Sequence, residues 1–183
     1  MPVYTKPEHS WSVDEMANAT LLNQYHRDSM AATMHRIAYK TADETVTNST
    51  TLQNDNHLFW SPPPSTTWYF RLVLWCSQPT VSSLPSDIKI AFSFQAGTIA
   101  MSSWYELPGG GATRGEWAST GFAVAMEAVD SSAAERTMHV IEGVHVFTST
   151  QPNVWQVQWA QNTADLGVVT VYKGSTLWGV DVT

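Results

Sequence analysis

Residues Thr66 to Cys76 constrain the fold more than any other stretch of this chain. Read as a strand, one face carries Trp68, Phe70, Leu72, Leu74 and Cys76, and the other carries Tyr69, Val73 and Trp75 beside Arg71. Side chains alternate across a strand, so a strand with one wet face should alternate apolar and polar residues. Apolar residues on both faces require cover on both sides, from a second sheet and from a helix or a partner.

The rest of the body supplies sheets to pack around it. Beyond Tyr39 the sequence turns to Thr, Ser, Val, Trp and Phe with frequent Pro and Gly, the chemistry of strands and turns. Strands are expected at Thr45–Leu52 and, after an Asn54-Asp55-Asn56 turn, at Leu58–Trp60, where Pro62-Pro63-Pro64 stops the run. Asp87–Gln95 alternates with Ile88, Ile90, Phe92 and Phe94 inward, and Thr98–Trp104 is expected to pair back on it. A weaker strand runs through Gly121–Met126. Arg136–Thr148 places Met138, Val140, Val144 and Val146 on one face, and Gly143 suggests a bulge. Asn153–Gln161 places Trp155, Val157 and Trp159 on one face. Val168–Tyr172 and Leu177–Val182 close the chain, with the amides of Gln161 and Asn162 fixing the turn before them. Pro108-Gly109-Gly110-Gly111 opens a long loop towards Ser119. The expected fold is mainly β: an antiparallel, jelly-roll-like β-sandwich over residues 43–183, preceded by an extended arm and a helix over residues 1–42.

That N-terminal segment has its own signals. Pro2 and Pro7 favour an extended arm, and Ser12-Val13-Asp14-Glu15 offers a capping box. No Pro or Gly follows until after Tyr39, and the apolar set Leu21, Leu22, Tyr25, Met30, Met34 and Ile37 makes a thin stripe. A helix with so little to bury should dock, on its own domain or on a neighbouring subunit.

Composition excludes several functions. The formal charge of −7 and pI near 5.2 argue against nucleic acid, whose phosphates need a basic footprint. Cys76 is the only cysteine, so neither an intrachain disulfide nor a cysteine zinc cluster can form. No apolar stretch approaches the roughly 20 residues that span a bilayer, and no signal peptide opens the chain, so no membrane partner and synthesis in a cytoplasm are expected. The histidines are His9, His26, His35, His57, His139 and His145. His139 and His145 share a strand face but lie about 20 Å apart along it, too far for one metal. Surface or interface roles are expected for both. The Gly109-Gly110-Gly111 loop lacks the Gly-Lys-Ser/Thr ending of a phosphate cradle. No Gly-x-Ser-x-Gly occurs, and Asp87, Glu106, Glu116, Glu127 and Glu142 are scattered rather than paired for glycoside hydrolysis. No catalytic residue, metal or cofactor is expected.

The nine Trp leave two readings. Trp60, Trp104 and Trp117 could form a stacking platform for a glycan, or the aromatic surplus could serve a homo-oligomeric interface. The two-sided strand favours the interface, because it too asks for cover.

Two blocks carry a family resemblance. They are Thr47-Asn48-Ser49-Thr50-Thr51-Leu52-Gln53-Asn54-Asp55, and Gln158-Trp159-Ala160-Gln161-Asn162-Thr163-Ala164-Asp165 with Gly174-Ser175-Thr176-Leu177. With Trp68-Tyr69-Phe70 and Asp87-Ile88-Lys89 between them, they resemble a β-rich domain of structural proteins in tailed phages, mainly those of actinobacteria. Upstream, Trp11 followed by Leu22-Asn23-Gln24-Tyr25-His26-Arg27-Asp28 resembles a short motif in tail and other virion proteins. The chain departs from that pattern at Asp14-Glu15-Met16-Ala17, and from the domain at Pro62-Pro63-Pro64 and Gly109-Gly110-Gly111. The resemblance covers most of residues 45–178 and implies a non-enzymatic virion structural protein, made in the host cytoplasm and located in the virion. Its expected partners are itself, as a homotrimer, and other capsid or tail proteins, in a tail, fibre-like or capsid-decoration position. Attachment is expected through Trp11, Leu22, Asn23, Tyr25, Arg27 and Asp28. The alternative is a carbohydrate-binding module for host surface glycans.

Overall fold

The computed structural model describes residues 35–77, 88–106, 112–119, 123–126, 136–151, 154–164 and 166–183, and among these there is no helix. The strands form two antiparallel sheets. The smaller holds β3 (Gln53–Trp60), β10 (Trp155–Gln161), β5 (Ile88–Ser93) and β8 (Ala123–Met126), in that order. The larger runs β1 (Arg36–Tyr39), β12 (Thr176–Asp181), β4 (Thr67–Ser77), β9 (Thr137–Phe147), β6 (Gly97–Glu106) and β7 (Ala112–Ser119), with β2 (Glu44–Thr47) and β11 (Val168–Val171) continuing its first two members.

That continuation curls the sheet. β1 pairs β12 and β2 pairs β11, so residues 36–47 and 168–181 act as two long strands, each interrupted at the same level. Side chains repair the interrupted ladder. Ser175 Oγ accepts from Trp75 N at 3.0 Å and donates to Tyr172 O at 2.8 Å. Lys40 N donates to Ser175 O and Gly174 N donates to Lys40 O, while Lys173 N donates to Asp43 Oδ1. These bonds give Trp75 N, Tyr172 O, Lys40 N and O, Gly174 N and Lys173 N partners where the ladder is interrupted.

Counting each long strand once and setting aside the β6–β7 hairpin leaves two four-stranded layers. In chain order, the larger holds the first, eighth, third and sixth strands; the smaller holds the second, seventh, fourth and fifth. This is the jelly-roll order, two interleaved Greek keys. The β6–β7 hairpin then extends the larger sheet beyond β9.

The core lies between the layers. The even residues of β4, Trp68 to Cys76, are buried against Ile88, Ile90 and Phe92 of β5 and Trp155, Val157 and Trp159 of β10. An aromatic cluster fills one end. Trp155 stacks on Phe92 at 5.1 Å and meets Phe70 and Trp60 edge-on or tilted at 4.9 and 4.7 Å. Gly179 admits this cluster: a Cβ there would meet the Trp60 ring at 2.7 Å.

Several expectations change. The stretch expected to continue as helix to Tyr39 ends as the strand β1, because Arg36–Tyr39 completes the edge of β12. The sandwich therefore already includes residues before position 43. Asn54-Asp55-Asn56 is a bulge within β3 rather than a turn: Gln156 and Gln158 of β10 pair with Phe59 and Asn54. β6 pairs with β7 and β9, not back on β5, and part of the expected glycine-rich loop is strand β7. On β9 the inward face is the odd one, with His139, Ile141, His145 and Phe147 buried and Val144 and Val146 exposed. Gly143 makes no bulge, since β9 keeps continuous register with β4 and β6. Its purpose is close approach: a Cβ there would meet Ala100 O at 2.3 Å.

Candidate functional site: the outer face of the larger sheet

The two outer faces of the sandwich differ in chemistry. The smaller sheet presents Gln156, Gln158, Lys89, Ser93 and Asn54, with Phe59 as its large apolar exception. Gln156 and Gln158 bond across the bulge to Asp55 O and Asn54 Oδ1. This is an ordinary solvated face.

The larger sheet presents the odd residues of β4 and their neighbours. Tyr69, Val73 and Trp75 are half-buried, and beside them stand Trp104 of β6 and Trp178 and Val180 of β12, also half-buried. Val144 and Val146 extend the patch along β9, and Ile37 and Tyr39 at the β1 edge are 65% and 63% exposed. Register places these residues in rows: Ile37 opposite Trp178, Trp178 opposite Arg71, Arg71 opposite Glu142. The one ion pair seen among these residues is Arg71 Nε to Glu142 Oε1 at 3.0 Å. Around it, Tyr69 meets Trp178 edge-on at 5.8 Å and His35 lies over Trp178 at 5.2 Å. Burial and then the neighbouring Glu142 charge push the Tyr69 hydroxyl above its ordinary pKa. The second cover that the two-sided strand demands is not supplied by any described residue. Among its described residues the face sets apolar and aromatic groups around a central charge pair and brings no nucleophile–base pair together.

A polar cluster lies at the same β1 edge but inside the sandwich, where the end of β1 meets the β3 bulge. Lys40 and Asp55 are both buried, and Lys40 Nζ donates to Asp55 Oδ2 at 2.7 Å and to Glu44 Oε2. Asp55 Oδ1 accepts from the backbone N–H groups of His57 and Leu58, each at 2.9 Å. Ligand atoms of Glu44, Asp55 and His57 lie within 4.8 Å of one another. The Lys40 ammonium already bonds both carboxylates there, so a metal ion would face a positive charge in its own place. Sequence reading missed the cluster. Glu44, Asp55 and His57 form no spaced motif, and lysine is among the residues least expected in a core.

The residues singled out from sequence are dispersed. Trp60 is in the aromatic core, 8% exposed, and offers no ring face to a sugar. Trp104 lies half-buried on the outer face, across from Val140. Trp117 belongs to β7 opposite Met101, and its side chain lies outside the described residues. Trp11, Leu22, Asn23, Tyr25, Arg27 and Asp28 all lie outside the described residues. His139 and His145, expected at a surface or interface, are instead fully buried, because β9 turns its odd face inward. Gln161 does fix its turn: Nε2 donates to Gly167 O at 2.7 Å and Oε1 accepts from Ser49 N at 2.9 Å.

No protein-family model matches the chain, and no curated protein matches it. Among solved structures, one of infectious bursal disease virus, Gx strain, aligns over 81% of this chain and 42% of its own, with 12% identity and a TM-score of 0.15. The chain thus spans less than half the length of that protein. A TM-score so low carries no argument about either fold or function. No helix among the described residues is long and apolar enough to cross a membrane.

Proposed function

We propose that this protein is a non-enzymatic structural component of a tailed-phage virion, a tail, fibre-like or capsid-decoration protein that works as a homotrimer. The observation that carries the reading is the contrast between the two outer faces. One is polar apart from Phe59 among its described residues; the other sets Tyr69, Trp75, Trp104, Trp178, Ile37 and Val144 around one ion pair. Obligate interfaces are more apolar than ordinary surface, with aromatics and Arg at their centres. The resemblance of the Thr47–Asp55 and Gln158–Leu177 blocks to virion proteins points the same way. In this reading residues 1–34 join the sandwich to the particle. The test is mass by light scattering on the full-length protein. A trimer that the pair Tyr69→Lys and Trp178→Glu reduces to folded monomer is the expected result; a wild-type monomer would sink the oligomer.

The rival is a carbohydrate-binding module, favoured by Trp104 and Trp178 on one sheet face. The jelly roll does not decide between them, since capsid proteins and lectins both use it. A glycan screen decides: binding lost on Trp104→Ala favours the module.

A further inference from the structure

We propose that Lys40 and Asp55 join spontaneously through an amide bond between Nζ and Cγ, with Glu44 as proton carrier, so that the mature protein is internally cross-linked. This goes beyond the virion reading and does not depend on it.

Three requirements of such a condensation meet at this one place. The reacting groups are held together and out of water: Lys40 Nζ is 2.7 Å from Asp55 Oδ2, and both side chains are fully buried. Near-attack geometry asks for about 3–3.5 Å between reacting atoms, and Cγ is bonded to the oxygen the amine already touches. Second, the oxygen that gains charge is provided for. Asp55 Oδ1 accepts the N–H groups of His57 and Leu58, two backbone donors aimed at one oxygen as in an oxyanion hole. The bulge in β3 is what turns both donors towards it. Third, Glu44 accepts a hydrogen bond from the same Nζ and is partly open to solvent, giving protons a carrier and water an exit.

The balance closes without another reactant. Lys40 begins with three protons on a positive nitrogen and Asp55 as a carboxylate. Glu44 takes one proton from the nitrogen and relays it to Oδ2, and the neutral amine attacks Cγ of the now neutral carboxyl, placing charge on Oδ1 between the two N–H donors. A second proton then passes from the nitrogen through Glu44 to Oδ2. Oδ2 leaves as water, and one proton stays on the new amide. One positive and one negative charge vanish from the interior. That outcome is favoured where both are poorly solvated, because a buried ion pair bears the desolvation of two charges and an amide bears none.

The rigid surroundings fit this assignment. Lys40 is pinned by backbone bonds to Ser175 and Gly174, and Gln156 Nε2 holds Asp55 O at 2.9 Å. The nitrogen and the carboxyl are therefore presented by two different sheets.

Intact and peptide mass spectrometry of the purified full-length protein, denatured, provides the test. The expected result is a chain lighter by one water, whose tryptic digest holds one peptide running from Ile37 through an uncut Lys40 to Arg71. A succinimide at Asp55 would lose the same water but leave Lys40 open to trypsin, and would overturn the proposal. So would a chain at full sequence mass. Asp55→Ala should restore both the mass and the cleavage. Glu44→Gln, which keeps the size of the side chain, should stay soluble and folded yet accumulate the link at least tenfold more slowly. Linkage at the wild-type rate in Glu44→Gln would remove Glu44 from the mechanism.

Discussion

His145 lies in surroundings foreign to its chemistry. Its ring lies 3.7 Å from Phe147 and 4.2 Å from Phe94, and its nitrogens find no hydrogen-bond partner among the described residues. Burial lowers its pKa to about 4, and does the same to His139. The unfolded chain takes up these protons near pH 6.5, the folded one only near 4, so stability is complete above about 6.5 and drains away down to about 4. Each histidine contributes a slope of up to about 1.4 kcal/mol per pH unit in that window. Urea midpoints should fall between pH 7.5 and 5, and His145→Leu should flatten roughly half of the fall. An unchanged slope would show that His145 does not titrate on unfolding. Gly143→Ala should cost about 3 kcal/mol by denaturant melt, since the new methyl would press on the Ala100 carbonyl rather than on a movable side chain. Cys76 is buried, its thiol pushed up to about 12, and should resist thiol reagents until the chain unfolds. These residues explain one misreading. With His at 139 and 145 on the inner face, β9 carries its valines on the outer one, where Val144 and Val146 are exposed, and apolar alternation alone chooses the wrong face.

Among elements, strands were legible where packing follows a period of two and illegible where a partner decides. β4, β5 and β10 show their inner faces as alternating apolar residues, and the sequence places them nearly to the residue. β1 was not visible, because Arg36–Tyr39 follows a run of helix formers and becomes a strand only through β12, a tertiary choice that propensity does not encode. β7 was hidden behind the glycine-rich loop that feeds it. The β3 bulge uses Asn54-Asp55-Asn56, ordinary turn residues, to place a carboxylate inside the fold. The candidate cluster was illegible for the same reason: Lys40 and Asp55 meet through a corner and a bulge, neither of which has a periodic signature. The corner itself can be tested. Ser175→Ala leaves Trp75 N and Tyr172 O without their side-chain partner and should cost about 1–3 kcal/mol by thermal or urea unfolding, with the secondary structure retained.

At the scale of the molecule, the boundary of the sandwich decides how to probe the proposed attachment. Because β1 and Lys40 belong to the sheet, a truncation meant to spare the fold must stop at residue 34. The shortened protein should keep its melting temperature within a few degrees and fail to enter particles in a complementation assay. Normal incorporation would show that residues 1–34 do not attach it. The order of the strands has one more consequence, and it concerns time. The first long strand, residues 36–47, pairs with the last, residues 168–181, and Lys40 is braced by Ser175. A ribosome emits the first strand long before its partner exists. The larger sheet therefore cannot close until residues 168–181 have been made, although β4 can already meet β5, β9 and β10 by then. Pairings so distant in sequence fold slowly, in milliseconds to seconds, and leave apolar strands open to aggregation meanwhile. Synthesis of residues 168–181 is the event that lets the sandwich take its final folding step.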